Sequence, residues 1–143
     1  MAISTAARIV LNEQLEQMEG YRQYIYKDIK GHDSIGIGRN LDANGISRAE
    51  ALYLLNNDID NAEEELAKNI SFYNDLDDVR KIVLINMCFN MGIGDLMQFK
   101  AMLTALGAGN YAQAADEMMK SEWSKQVPTR AATLAHMMDT GTY

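Results

Sequence analysis

The chain has 143 residues, enough for one ordinary domain and too few for two full-sized ones. It is 48% hydrophobic and 23% charged with a single Pro, a globular composition that excludes a disordered or collagen-like chain. Thirteen Lys and Arg against twenty Asp and Glu leave a net charge of -7, the wrong sign for holding a phosphate backbone, so nucleic acid is excluded as a partner.

From Ser4 to Met18 the apolar residues Leu11, Leu15 and Met18 fall at helical spacing, with Ser4 or Thr5 as an N-cap and Gly20 as a stop. Residues 21–39 read differently. Tyr24-Ile25-Tyr26 is rich in strand formers, Gly31 sits in a polar turn, and Ser34-Ile35-Gly36-Ile37-Gly38 alternates with period two, which predicts a hairpin. A looser segment, Asn40 to Gly45, leads to Ser47-Arg48-Ala49-Glu50, where Ser and Glu have the spacing of a capping box. The long helix that starts there carries Leu52, Leu55, Ile59, Ala62 and Leu66 at steps of three and four, and at 1.5 Å per residue it spans roughly 30 Å. After Asn74-Asp75 comes the most apolar helix, with Val79, Ile82, Val83, Ile85 and Phe89 running to Gly92, expected at the centre of the core. Segments Leu96 to Leu106, Tyr111 to Lys120 and Pro128 to Met138 complete a helical second half, Pro128 being suited to a first helical turn.

The first eight residues lack a basic start, an apolar core and a small-residue cleavage site, so no signal peptide is expected. Residues 82–91 are interrupted by Asn86 and Asn90 and cover half the roughly 20 residues of a spanning helix, so no membrane insertion is expected. Cys88 has no second Cys to bridge, which suits a reducing compartment, and within the apolar helix it reads as a buried inert thiol. No HExxH, CxxC, P-loop or GxSxG pattern occurs, and neither a metal nor a cofactor is expected. His32 and His136 read as a turn residue and a helix-surface residue, and the ten Met residues as gap-filling core.

What remains is a carboxylate pair, Glu19 at the end of the first helix and Asp28 in the hairpin, with Ser34 across the turn. If the turn takes up residues 29–33, Asp28 and Ser34 are cross-strand neighbours with Cβ atoms about 5 Å apart, close enough for one bridging water. Glu19 stands where the negative end of a helix dipole opposes ionisation, and partial burial beside Met18 would add to that, as suits a general acid. Two carboxyl groups in different environments are what glycoside hydrolysis needs: one protonates the leaving oxygen, the other activates water or attacks carbon. Spacing alone fits two exposed charges flanking a hairpin as well, which is the commoner case.

Glu19-Gly20, Tyr26-Lys27-Asp28 and Ser34-Ile35-Gly36-Ile37-Gly38 together resemble the active-site signature of phage-type lysozymes, glycoside hydrolase family 24, in which Glu, Asp and Thr are separated by eight and five residues. The likeness continues through Asn44-Gly45, Asn57-Asp58, Asn86-Met87, Phe89 to Gly92, Trp123, Pro128-Thr129-Arg130-Ala131 and Thr140-Gly141-Thr142, almost the whole chain in order. It implies a mainly helical α+β fold, a lysozyme-like two-lobe single domain: a small hairpin lobe at about 20–45, a linking helix at about 47–69, and a helical lobe at about 75–143 packed with the N-terminal helix. It also implies a muramidase that cuts the β-1,4 bond between N-acetylmuramic acid and N-acetylglucosamine of bacterial peptidoglycan. Glu19 would be the acid, Asp28 the base, and Ser34 would help position the attacking water in an inverting displacement. Asn86, Phe89 and Asn90 would line one wall of the cleft, and Arg130 resembles the arginine that approaches the catalytic Glu. A monomeric endolysin is implied, made in the host cytoplasm and reaching the wall through a holin pore.

Three features depart from the family pattern. Ser34 stands in place of the usual Thr, keeping the hydroxyl and losing the β-branch that stiffens its rotamer. Arg39 stands where several members have His, in a shortened segment, and is expected to face Asp58. The negative net charge is a handicap on anionic walls, where basic lysozymes gain encounter rate. Two alternatives share the likeness: a lytic transglycosylase, which works with one carboxylic acid and against which Asp28 argues, and an inactive wall-binding or tail module that keeps the fold.

Overall fold

The structure, a computed structural model, describes residues 2–143. It is mainly helical with one small antiparallel sheet, the α+β class predicted from sequence. The chain forms two compact units, one ending at Leu52 and the other beginning at Tyr53, with the boundary inside a single long helix.

The first unit opens with helix α1, Thr5–Glu19. Ser4 caps it by accepting from the Ala7 N–H at 3.1 Å, and Gly20, at φ 75, ends it. No residue of α1 is buried: Leu11 and Leu15 are exposed and Met18 is 78% exposed. Strands β1 (Arg22–Lys27), β2 (Asp33–Gly36) and β3 (Arg39–Asn40) form a sheet in the order β1-β2-β3. Tyr26 pairs with Ser34 and Lys27 with Asp33, while Arg22 pairs with Gly36, so a bulge lies between the two stretches of β1. The turn therefore occupies residues 28–32, and the expected direct pairing of Asp28 with Ser34 is off by two positions. The displacement arises because Asp28 builds the turn itself: its N–H donates to the His32 carbonyl at 2.9 Å and its carbonyl accepts from Gly31 at 2.9 Å.

The segment expected to be loose holds a short helix, α2 (Leu41–Asn44), capped by Asn40. Helix α3 (Arg48–Asn69) begins on the predicted capping box, with Glu50 N–H on Ser47 Oγ at 3.1 Å and Ser47 N–H on Glu50 Oε2 at 2.6 Å. Arg39 has a carboxylate partner within the first unit. Its guanidinium forms a two-pronged ion pair with Glu50 and donates to the Gly45 carbonyl at 3.0 Å. The reason is local: the capping box already fixes Glu50 at the start of α3, facing the turn that carries Arg39.

In the second unit a 3-10 turn, Tyr73–Asp75, precedes α4 (Asp78–Met91) and α5 (Ile93–Leu96). Helices α6 (Lys100–Gly107), α7 (Tyr111–Met119), α8 (Glu122–Gln126) and α9 (Pro128–Thr140) follow. Helix α7 packs against α6 and α9, and α4 packs against α9. The core is filled by Leu66, Val83, Leu84, Met87, Leu96, Met102, Leu106, Met118 and Met138, so five of its nine largest members are aliphatic branched chains and four are the flexible Met expected to fill gaps. Among the described residues no helix is long and apolar enough to cross a membrane.

Candidate active site

Glu19, Asp28 and Ser34 all belong to the first unit. Asp28 is the most tightly held of the three. Its Oδ1 accepts the backbone N–H of Lys30 at 2.8 Å and of His32 at 2.9 Å, closing a turn by its side chain in the manner of an Asx motif. Its Oδ2 lies 3.3 Å from Nδ1 of His32. The His32 N–H is the largest influence holding the Asp28 carboxyl below the usual carboxylate range; desolvation opposes it, and the Lys30 N–H and His32 imidazole reinforce it. Asp28 is therefore ionised across the neutral range. His32, read from sequence as a plain turn residue, is instead a neighbour of the candidate base; its spacing of four from Asp28 within a Gly turn is the signal that pointed there.

Ser34 is 3% exposed, buried in the middle of the sheet between Tyr26 on β1 and Asn40 on β3. Since Tyr26 faces Ser34 and Asp28 follows two residues later, Ser34 and Asp28 share a face as diagonal neighbours, about 7–8 Å apart by sheet geometry. That is wider than the direct pairing expected.

Glu19 ends α1 and is exposed, not partly buried as expected. Its carboxyl group nonetheless has a defined neighbour. A Cβ placed on Gly38 would come 2.9 Å from Glu19 Oε2 and 3.2 Å from its Cδ and Cγ, so the acid lies against the backbone of the β2–β3 turn. One sheet thus positions both carboxyl groups, Asp28 by its first turn and Glu19 by its second.

Asn86, Phe89 and Arg130 line a cavity of about 320 Å³ within the second unit, together with Leu55, Ile59, Ile82 and Ile85. Four aliphatic side chains and one aromatic make its wall apolar, and Arg130 supplies its cation. Asn90 does not join them. Its Oδ1 accepts the Trp123 indole N–H at 2.8 Å and ties α4 to α8, a structural bond that the position of Asn90 next to Phe89 did not betray. His136 is exposed on α9, as read from sequence. Cys88 is buried, and that burial is the chief cause pushing its thiol above the ordinary value, so it is a poor nucleophile. Among the described residues no three His, Cys, Asp or Glu side chains gather as a metal-binding group.

Sequence reading also missed Arg80. Its guanidinium is buried, donates to the carbonyls of Met138 at 2.8 Å and Asp139 at 3.0 Å, pairs with Asp77 at 3.3 Å and lies 3.6 Å from the ring centre of Tyr111. It joins the start of α4 to the end of α9.

The chain is similar to proteins of known kind over most of its length. It is 29% identical to Probable T4-type lysozyme 1 of Dictyostelium discoideum over an alignment of 161 positions, gaps included, covering 92% of this chain and 95% of that protein. Probable T4-type lysozyme 2 of the same organism is 29% identical over an alignment of 162 positions, with the same two shares. The Pre-baseplate central spike protein Gp5 of Enterobacteria phage T4 is 27% identical over an alignment of 157 positions, covering 90% of this chain and 27% of that protein. The family model for Phage lysozyme matches residues 16–136, a span that contains both carboxyl groups, the sheet that positions them and Arg130. On that match the chain belongs to the phage lysozyme family, and it is a glycosidase of the lysozyme kind, a muramidase-type peptidoglycan hydrolase.

Proposed function

We propose that the chain hydrolyses the β-1,4 bond between N-acetylmuramic acid and N-acetylglucosamine by a single inverting displacement. The observation that carries this reading is that one small sheet sets two carboxyl groups in different environments, Asp28 pinned by N–H donors and Glu19 resting on Gly38. Glu19, exposed and free of an ion pair among the described residues, protonates the leaving oxygen. Asp28, held ionised, takes the proton of the attacking water. The diagonal offset between Asp28 and Ser34 leaves room for that water between carboxylate and hydroxyl, whereas a direct pairing would be closer. The reaction then inverts the anomeric centre, which requires the two carboxyl groups to stand about 6.5–9.5 Å apart when substrate is bound. Arg130 and Asn86, which line an apolar cavity, are suited to an acidic, amide-bearing sugar chain. The biological setting that fits is a monomeric endolysin, made in the host cytoplasm and acting on the wall after release through a holin pore.

The test is the rate at which purified peptidoglycan gains new ends. Glu19→Gln and Asp28→Asn are each expected to lose at least about a hundredfold in kcat while keeping the helical circular dichroism of the parent. Ser34→Ala should lower kcat far more than it raises KM, and Ser34→Thr should retain activity. Undiminished cleavage by Glu19→Gln would remove it as the acid. A second reading is favoured by one observation, the similarity to a phage spike protein of which the match covers 27%: the chain would then be a lysozyme module of a tail assembly. Its mark would be activity that depends on assembly, with the isolated chain binding wall fragments without cutting them.

A further inference from the structure

The β2–β3 turn, Ile37-Gly38, carries a glycine whose conformation and surroundings make separate demands. Gly38 is at φ +68, a left-handed conformation that an L side chain adopts only with strain. Its missing Cβ is also the space in which the Glu19 carboxyl group stands, 2.9 Å from where that atom would be. Gly36, two residues earlier on the same segment, is at φ +69 and has nothing within 4 Å of its would-be Cβ. The two glycines therefore share the left-handed backbone requirement, and of the two only Gly38 has the contact with Glu19.

We propose that Gly38 is a positioning residue for the general acid: its bare Cα is the seat on which the Glu19 carboxyl rests, and any side chain there displaces the acid from the bond it protonates. This deepens the hydrolytic reading and rests on it for the role of Glu19. The physical argument is one of compliance. The atoms a Cβ would meet are the far end of a flexible, exposed side chain, so Glu19 yields to the intruder by rotating away and the fold is spared. What is lost is alignment. A carboxyl group moved by about 1 Å from a leaving oxygen costs up to about a hundredfold in rate, because proton transfer needs hydrogen-bond contact in the transition state. Substrate binding elsewhere along the glycan is left alone, so the loss falls on kcat and not on KM.

The comparison of Gly38→Ala with Gly36→Ala tests this, since the second variant carries the same left-handed strain without the contact. Both should melt at similarly lowered temperatures. Measured well below either melting temperature on purified peptidoglycan, Gly38→Ala is expected to lose at least tenfold in kcat with KM within about twofold of the parent. Gly36→Ala should stay within about twofold in both. A readout independent of catalysis is the carboxyl carbon resonance of Glu19 by 13C NMR at fixed pH, together with the cross-relaxation between its Hγ protons and the Hα of residue 38. Both should change in Gly38→Ala and stay as in the parent in Gly36→Ala. Equal kcat in the two variants, or an unmoved Glu19 resonance in Gly38→Ala, would overturn the proposal. A parent that forms no new glycan ends would instead overturn the hydrolytic reading, while the NMR comparison would still decide whether Gly38 seats Glu19.

Discussion

Asp28 commits one carboxylate oxygen to its own turn and leaves the other to face His32, so a single residue both shapes the hairpin tip and is the proposed base. The arrangement has a consequence in acid. A carboxyl group held below its unfolded value, near 3.9 for Asp, adds stability that is fully present above that value and is lost as pH falls through the lower folded one. Melting temperatures taken from about pH 7 to pH 2 should therefore fall more steeply below about pH 4 in the parent than in Asp28→Asn. The amide oxygen of that variant can still accept the Lys30 and His32 N–H groups, so its turn survives while its titration is gone. Superimposable curves would show that the Asp28 charge does not stabilise the turn. At this scale the sequence was only partly legible. The spacing of Glu19, Asp28 and Ser34 marks the candidate site, but the register of the hairpin does not follow from composition. An Asp that accepts N–H groups two and four residues ahead draws the turn back to itself and shifts every cross-strand pair by two.

The ends of the elements show where side chains replace missing backbone partners. Helix α9 finishes with Gly141 at φ 69, and its last carbonyls, those of Met138 and Asp139, are taken by the buried guanidinium of Arg80. A Cβ on Gly141 would run into that guanidinium, so the glycine serves both the left-handed cap and the arginine that reaches across it. Arg80→Met keeps the aliphatic stem and removes every guanidinium donor, leaving the buried Met138 carbonyl and the partly buried Asp139 carbonyl without them. It should cost about 2–4 kcal/mol in urea unfolding, most of it from those acceptors and the rest from Asp77 and the ring of Tyr111. A change below about 0.5 kcal/mol would mean that water takes over those acceptors without loss. The capping box at Ser47 and Glu50 is visible in sequence because it is local, three residues apart on one turn. The reach of Arg80 across to α9 is not, because the carbonyls it takes there lie 58 and 59 residues away and nothing at either end of that span announces a pair. Arg39 falls between the two cases: its charge suggests a carboxylate partner, but only the fixed position of Glu50 at the head of α3 decides which one.

Across the whole chain, apolar burial and chemistry are divided between the units. Every buried hydrophobic side chain among the described residues belongs to the second unit, from Ala62 to Met138, whereas in the first the one buried residue is Ser34. The apolar stretch at 79–91 was legible as a core helix, but its buried face was legible only in part: of Val79, Ile82, Val83, Ile85 and Phe89, Val83 alone is fully buried, Ile82 and Phe89 are exposed, and Leu84 and Met87 fill the core instead. The exposure of Leu11, Leu15 and Met18 on α1 was not legible, since periodicity marks an apolar stripe without saying that anything covers it. The unit without an apolar core is the one that carries Glu19, Asp28 and Ser34, held by turn hydrogen bonds, the Lys27–Asp33 pair at 2.6 Å and the Arg39–Glu50 pair. In the proposed hydrolysis this unit directs water, and not a neighbouring hydroxyl of the sugar, onto the glycosidic carbon. Digestion of purified peptidoglycan in water enriched in oxygen-18, followed by mass analysis of the new ends, tests it most directly. Attack by water gives reducing N-acetylmuramic acid ends that each carry one oxygen-18 atom, which is the expected result. Unlabelled 1,6-anhydro ends would contradict it by showing that Asp28 activates no water, and the absence of new ends would contradict it by showing that the isolated chain does not cut.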